Sequence, residues 1–143
     1  MCACDRRTFI NLTGWGIAGL VSCPPSVSAL GEREQFFIAE ALRMKNEAVA
    51  AGDQPFGAVV VRAGEIVGYG PSRVITDRNP DAHAERVALR DAVRRLRTND
   101  VAGAVIYSTS RPCAACENAL ALGNIDRMFF GSAGIDAGRP RRQ

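Results

Sequence analysis

The chain has 143 residues, of which 47% are hydrophobic and 23% charged, and its formal charge is +3. That length suits one domain, and the composition is globular. The positive balance is small and almost wholly arginine, with Lys45 the single lysine, so charge alone gives no ground for a nucleic-acid partner.

Met1 to Ala29 reads as a segment outside the fold. Asp5-Arg6-Arg7-Thr8-Phe9-Ile10 resembles a twin-arginine export signal. The apolar run from Ile10 to Val21, interrupted by Gly14, Gly16 and Gly19, falls short of the ~20 residues a permanent membrane span needs and suits the apolar part of a signal. Val27-Ser28-Ala29 offers small residues for cleavage, with Leu30 as the new N-terminus. Leu20-Val21-Ser22-Cys23 resembles a lipoprotein box, which would instead make Cys23 a lipid anchor. An irrelevant upstream extension is the plain alternative. The expected division is therefore an export signal over 1–29 and a domain over 30–143. Export implies a periplasmic location, or a cytoplasmic one where the segment does not act as a signal.

Glu32 to Ala51 has helical periodicity. Phe37, Ala41, Met44 and Ala48 form one apolar stripe, widened by Ile38 and Val49, and Gly52 ends the helix. Phe56 to Arg62 is a β-branched strand, Ala63-Gly64 a tight turn, and Glu65 to Gly70 the returning hairpin partner. Pro71 to Asp81 is a loop, the kind of segment that carries substrate contacts.

Ala82 to Leu96 is a second helix, with Ala84, Val87, Ala88, Ala92 and Leu96 able to face a sheet and Asp81 as a candidate N-cap. Arg86, Arg90, Arg94 and Arg97 lie along its other side and read as a solvated face. Ala104 to Ser108 is a buried strand, and Thr109 to Pro112 leads into a short helix from Cys113 to Leu122, ended by Gly123-Asn124. Arg127 to Gly131 is a strand, expected to run parallel to its predecessor because a helix joins the two. The order helix, hairpin, helix, strand, helix, strand predicts a mixed α/β sheet flanked by helices.

Chemistry concentrates in Asp81-Ala82-His83-Ala84-Glu85 and Arg111-Pro112-Cys113-Ala114-Ala115-Cys116. The one histidine of the chain and two thiols form an N/S donor set that suits Zn²⁺. Three protein ligands leave the fourth tetrahedral position for water, as in catalytic rather than structural sites. Residues i and i+3 of a helix share a side, so Cys113 and Cys116 can reach one ion. Pro112 suits a helix start, whose positive end favours thiolate. A redox dithiol would leave His83 and Glu85 unexplained. A haem motif needs histidine where Glu117 stands, and a structural zinc would need a fourth ligand.

The His-x-Glu and Pro-Cys-x-x-Cys pair resembles the zinc-dependent cytidine/deoxycytidylate deaminase superfamily. Pro55-Phe56-Gly57-Ala58-Val59-Val60-Val61 and Asn79-Pro80-Asp81-Ala82-His83-Ala84-Glu85 look most like its guanine deaminase and tRNA adenosine deaminase branch. The resemblance runs from about Glu32 to Gly131. It implies a three-layer α/β/α cytidine deaminase-like fold and hydrolytic release of ammonia. It also implies zinc on His83, Cys113 and Cys116, with Glu85 as the catalytic proton shuttle. Phe56, Ser72 and Ala84 are the implied substrate-binding positions, although Phe56 reads equally well as core. Members of the branch commonly have asparagine where Ser72 stands and glutamate where Arg111 stands. The family adds a fifth strand and a last helix, so this chain is expected to be C-terminally shortened, with a homodimer covering the gap. The implied substrate is a small nucleobase or nucleoside, guanine- or cytosine-like. A tRNA adenosine deaminase-like enzyme and a weakly active zinc-binding remnant are the alternatives. No aromatic-interleaved basic patch supports nucleic acid.

Overall fold

A computed structural model describes residues 27–143. The expected leader, with Arg6, Arg7 and Cys23, lies outside the described residues, apart from Val27–Ala29 in the first turn of helix α1 (Val27–Ala50). Strands β1 (Gly57–Arg62) and β2 (Glu65–Pro71) follow, then α2 (Ala84–Leu96), β3 (Ala104–Ser108), α3 (Ala114–Leu122), β4 (Arg127–Phe130) and β5 (Ile135–Gly138). Among the described residues no helix is long and apolar enough to cross a membrane.

The strands form one sheet in the order β2-β1-β3-β4-β5. β1 is antiparallel to β2 and to β3, β3 is parallel to β4, and β4 is antiparallel to β5. The β1–β2 turn works because Ala63 and Gly64 both take positive φ, 52° and 78°, the combination a two-residue hairpin turn requires.

Alternation along the strands divides the core in two. Val59, Val61 and Tyr107 point to the side covered by Phe37, Ala41 and Met44 of α1. Ala58, Val60, Ala104, Ile106 and Met128 point to the side covered by α2 and α3. The result is the expected three-layer α/β/α arrangement.

Helix α2 lies unusually close to the sheet, and small residues make this possible. Ala84, Ala88 and Ala92 recur at one-turn spacing and are fully buried. Opposite them are Gly68 and Gly70, where a Cβ would collide with the α2 backbone at the Ala88 and Ala84 carbonyls. This contact sets the height of the α2 N-terminus over the sheet.

β2 is one margin of the sheet. Its Tyr69 N–H donates to the Asp91 carboxylate of α2 at 3.0 Å, so a side chain occupies a backbone donor that faces away from β1. Arg94 and Arg95 pair with the same carboxylate, and the Arg43 and Arg95 guanidinia lie over the Tyr69 ring.

Two expectations are corrected. The sheet does have a fifth strand, formed by Ile135–Gly138 folding back on β4. The turn between them uses Gly131 and Gly134, both at positive φ. After β5 the chain crosses to α3: Pro140 is buried, and the Arg141 backbone and guanidinium both donate to Glu117, at 3.0 and 3.3 Å. Secondly, Asp81 is not an N-cap. Helix α2 begins at Ala84 with His83 in the cap position, extended at φ −61° and ψ 151°. The backbone of Asp81 is held in a turn by the Asn79 side chain (2.9 Å), and its carboxylate reaches Arg86 instead (2.6 Å).

Candidate metal centre

Two helix starts meet at one end of the sheet. His83 caps α2, its carbonyl accepting the first helical bond from Val87 N–H at 2.9 Å. Cys113 caps α3 in the same way, accepting from Glu117 N–H at 2.8 Å. Neither side chain makes a capping bond, so imidazole and thiol are both left for another partner. The approach to each cap is braced. Arg90 donates to the Asp81 carbonyl at 3.1 Å. Thr109 exchanges bonds with Gly57, N–H to carbonyl at 2.9 Å and hydroxyl accepting at 3.1 Å. Arg86 and Arg90, read from sequence as a solvated face, thus also fix the turn that delivers His83.

The potential ligand atoms of His83, Cys113 and Cys116 all lie within 4.8 Å of one another. His83 Nδ1 is 3.7 Å from Cys113 Sγ and 3.5 Å from Cys116 Sγ. Zinc bonds of about 2.0–2.1 Å to nitrogen and about 2.3 Å to sulfur, set at a tetrahedral angle, separate such atoms by about 3.5 Å. The donor set and its spacing therefore fit a zinc ion. Burial, then the nearby Glu85 charge and Cys113, hold the Cys116 thiol above its ordinary range. A metal that takes the thiolate must displace that proton, so uptake releases acid.

Glu85 stands beside this set without belonging to it. It is 5% exposed, and its Oε2 lies 3.5 Å from the Cys116 Sγ donor. Burial pushes its carboxyl above the ordinary range, against the opposing pull of its own backbone N–H, Cys116 and the His83 charge. A cavity of about 160 Å³ opens on these groups, lined by Gln54, Phe56, His83, Ala84, Glu85, Ser110, Arg111 and Cys113.

Most of the residues anticipated from sequence therefore gather at one place. His83, Cys113 and Cys116 cluster, Glu85 adjoins them, and Phe56 and Ala84 line the cavity. Phe56 is 40% exposed, so it belongs to the cavity wall rather than the core. Ser72 is elsewhere: it is buried, its hydroxyl donates to Asp53 Oδ1 at 2.9 Å, and it is not among the lining side chains. Gln54 and Ser110 were not anticipated, because single polar residues in loops follow no period.

A larger groove of about 670 Å³ lies between α1, β2 and α2 and includes Arg43, Arg73, Arg90, Arg94 and Arg95. Acidic partners accompany four of these: Glu40 and Glu47 for Arg43, Asp77 for Arg73, Asp91 for Arg94 and Arg95. The groove is largely charge-balanced and contains none of the metal-ligand set.

Residues 31–132 match the model of the cytidine and deoxycytidylate deaminase zinc-binding region. The tRNA-specific adenosine deaminase of Aquifex aeolicus is 37% identical over 97 residues, 68% of this chain and 64% of that protein. The guanine deaminase of Bacillus subtilis is 33% identical over 102 residues, 71% of this chain and 65% of that protein. The X-ray structure of guanine deaminase from Bacillus subtilis superposes with a TM-score of 0.65 at 33% identity, covering 68% of this chain and 62% of that one. The chain thus spans a little under two thirds of the length of these relatives.

Proposed function

This chain belongs to the cytidine and deoxycytidylate deaminase family, and we propose that it hydrolyses the exocyclic amine of a small nucleobase or nucleoside, guanine- or cytosine-like, and releases ammonia. The observation that carries the reading is the placement of Glu85. It is a buried carboxyl of raised pKa, next to a His/Cys/Cys set of zinc spacing and open to a cavity of about 160 Å³. A buried carboxyl beside the metal set, held above the ordinary carboxylate range, is suited to carry a proton between water and a bound ring.

Zinc bound by His83, Cys113 and Cys116 supplies Lewis-acid activation of water. Glu85 takes a proton from the attacking water and passes it to a ring nitrogen. It then takes the remaining proton from the hydroxyl now on the amine-bearing carbon and gives it to the departing amine as the C–N bond breaks, so water and the amine-bearing ring become a ring carbonyl and ammonia. Phe56 offers a flat apolar wall for a ring, and Ala84 lines the same cavity. Arg111 adds the one guanidinium of the cavity wall.

The test is ammonia release from a panel of bases and nucleosides, with zinc measured in parallel. Glu85→Ala should retain the metal and lose about 10²–10⁴ in kcat, whereas Cys113→Ala should lose both. A fully active Glu85→Ala enzyme overturns the proton-shuttle role. A tRNA adenosine deaminase-like activity is the second reading, favoured by the Aquifex aeolicus relative; inosine formation in a tRNA anticodon stem would establish it. Export through the segment before Leu30 and assembly as a homodimer belong to the same proposal. The Arg6-Arg7 pair supports the first, and the open margin at β5 with the exposed Ile135 supports the second.

A further inference from the structure

We infer that Gln54 reads the ring of the substrate and that Asp53 is the residue that positions it, an assignment that rests on the deaminase reading above. Four residues with polar side chains line the cavity without belonging to the metal-ligand set: Gln54, Glu85, Ser110 and Arg111. Glu85 is committed to proton transfer. A serine hydroxyl is a single atom, and arginine only donates. Gln54 alone presents a donor and an acceptor side by side in one plane, the pattern needed to pair with a ring that carries both.

The backbone around Gln54 is fixed from two sides. Its N–H donates to Asp53 Oδ1 at 2.7 Å, and its carbonyl accepts from Phe56 N–H at 2.8 Å. Among the described residues its carboxamide has no hydrogen-bond partner, so a cavity-lining residue with a held backbone keeps its amide free for a bound ring. Asp53 is the hub of this arrangement. It is 8% exposed and also accepts from Ser72 Oγ at 2.9 Å, Ile75 N–H at 3.0 Å, Thr76 N–H at 2.8 Å and Thr76 Oγ1 at 3.0 Å. The same carboxylate that fastens Gln54 therefore engages the Ser72 hydroxyl. Recognition moves from the loop after β2 to the loop before β1. The substrate class is a heteroaromatic ring with adjacent donor and acceptor, such as the lactam edge of guanine or the amide edge of cytosine.

The experiment uses the full zinc-loaded chain and the base panel described above. Gln54→Leu, similar in size but apolar, should raise KM about tenfold or more for the preferred ring, with kcat little changed and with zinc content and Tm at wild-type values. Asp53→Asn should raise KM as well, and the double variant should raise it no further than Gln54→Leu alone, because both act through one contact. Should Asp53→Asn not fold, Asp53→Glu takes its place, keeping the charge but displacing the acceptors. An unchanged KM in folded, zinc-loaded Gln54→Leu overturns the inference and leaves the deaminase reading standing. Additive KM effects overturn the positioning role of Asp53. A zinc-loaded wild type that releases no ammonia from any panel member overturns the deaminase reading and this inference together.

Discussion

At the scale of single residues, the division between what was legible in the sequence and what was not follows from chemistry. His83, Glu85, Cys113 and Cys116 were legible because metal chemistry restricts both residue type and order, and the structure gathers all four. Asp53 left no trace of that kind. An aspartate in a glycine-containing loop is ordinary, and only folding reveals that it collects five hydrogen bonds. Burial would push its carboxyl up, but the bonds from Thr76, Gln54 and Ser72 outweigh that and hold it far below the usual carboxylate range. The unfolded chain titrates near 3.9, so the unfolded state binds this proton first as pH falls. The resulting stabilisation is complete above about pH 5 and declines as the medium is acidified below about pH 4 toward the folded pKa. Asp53→Asn should therefore melt lower than wild type at pH 7, and the gap should narrow toward pH 3. Melting temperature recorded against pH for both proteins checks this.

At the scale of elements, period and composition located α1, the β1–β2 hairpin and α2 within a few residues, because each carries a run of side chains with a regular repeat. Helix α2 shows what a repeat leaves unsaid. Its alanines were legible as a sheet-facing stripe, but their partners Gly68 and Gly70 are recognisable only once the strand lies beneath the helix. Close approach there sets where His83 and Glu85 stand relative to the cysteines. Gly70→Ala should force α2 outward, at a cost of about 1–3 kcal/mol, and should weaken zinc retention even though it touches no ligand. Thermal melting and metal content after dialysis measure the two effects. The Asp81 cap was misread for a related reason. Asn79 and Arg86 offered that residue better partners than the helix did, and cap preference is a local rule that such contacts override.

For the molecule as a whole, the helix-flanked mixed sheet followed from the order of elements and its three layers from the family resemblance, but the C-terminal closure followed from neither. Ile135-Asp136-Ala137-Gly138 is four residues long with one β-branched side chain, too short a run to mark a strand until β4 offers its free side. The tail then returns to Glu117 on the helix that follows Cys113, which ties the last residues to the metal end of the fold. The opposite margin has its own device in the bond from Tyr69 N–H to Asp91. Burial raises the Asp91 carboxyl, but the Tyr69, Arg95 and Arg94 contacts lower it by more, so this bond too persists at neutral pH and fails only in acid. Asp91→Ala, which removes the acceptor altogether, should form particles at neutral pH, under conditions in which wild type stays clear; light scattering over several hours would reveal them. That single carboxylate works as a stopper on an otherwise sticky rung, and only acid below the ordinary carboxylate range would pull it out, inviting the growth of ribbons from one molecule to the next.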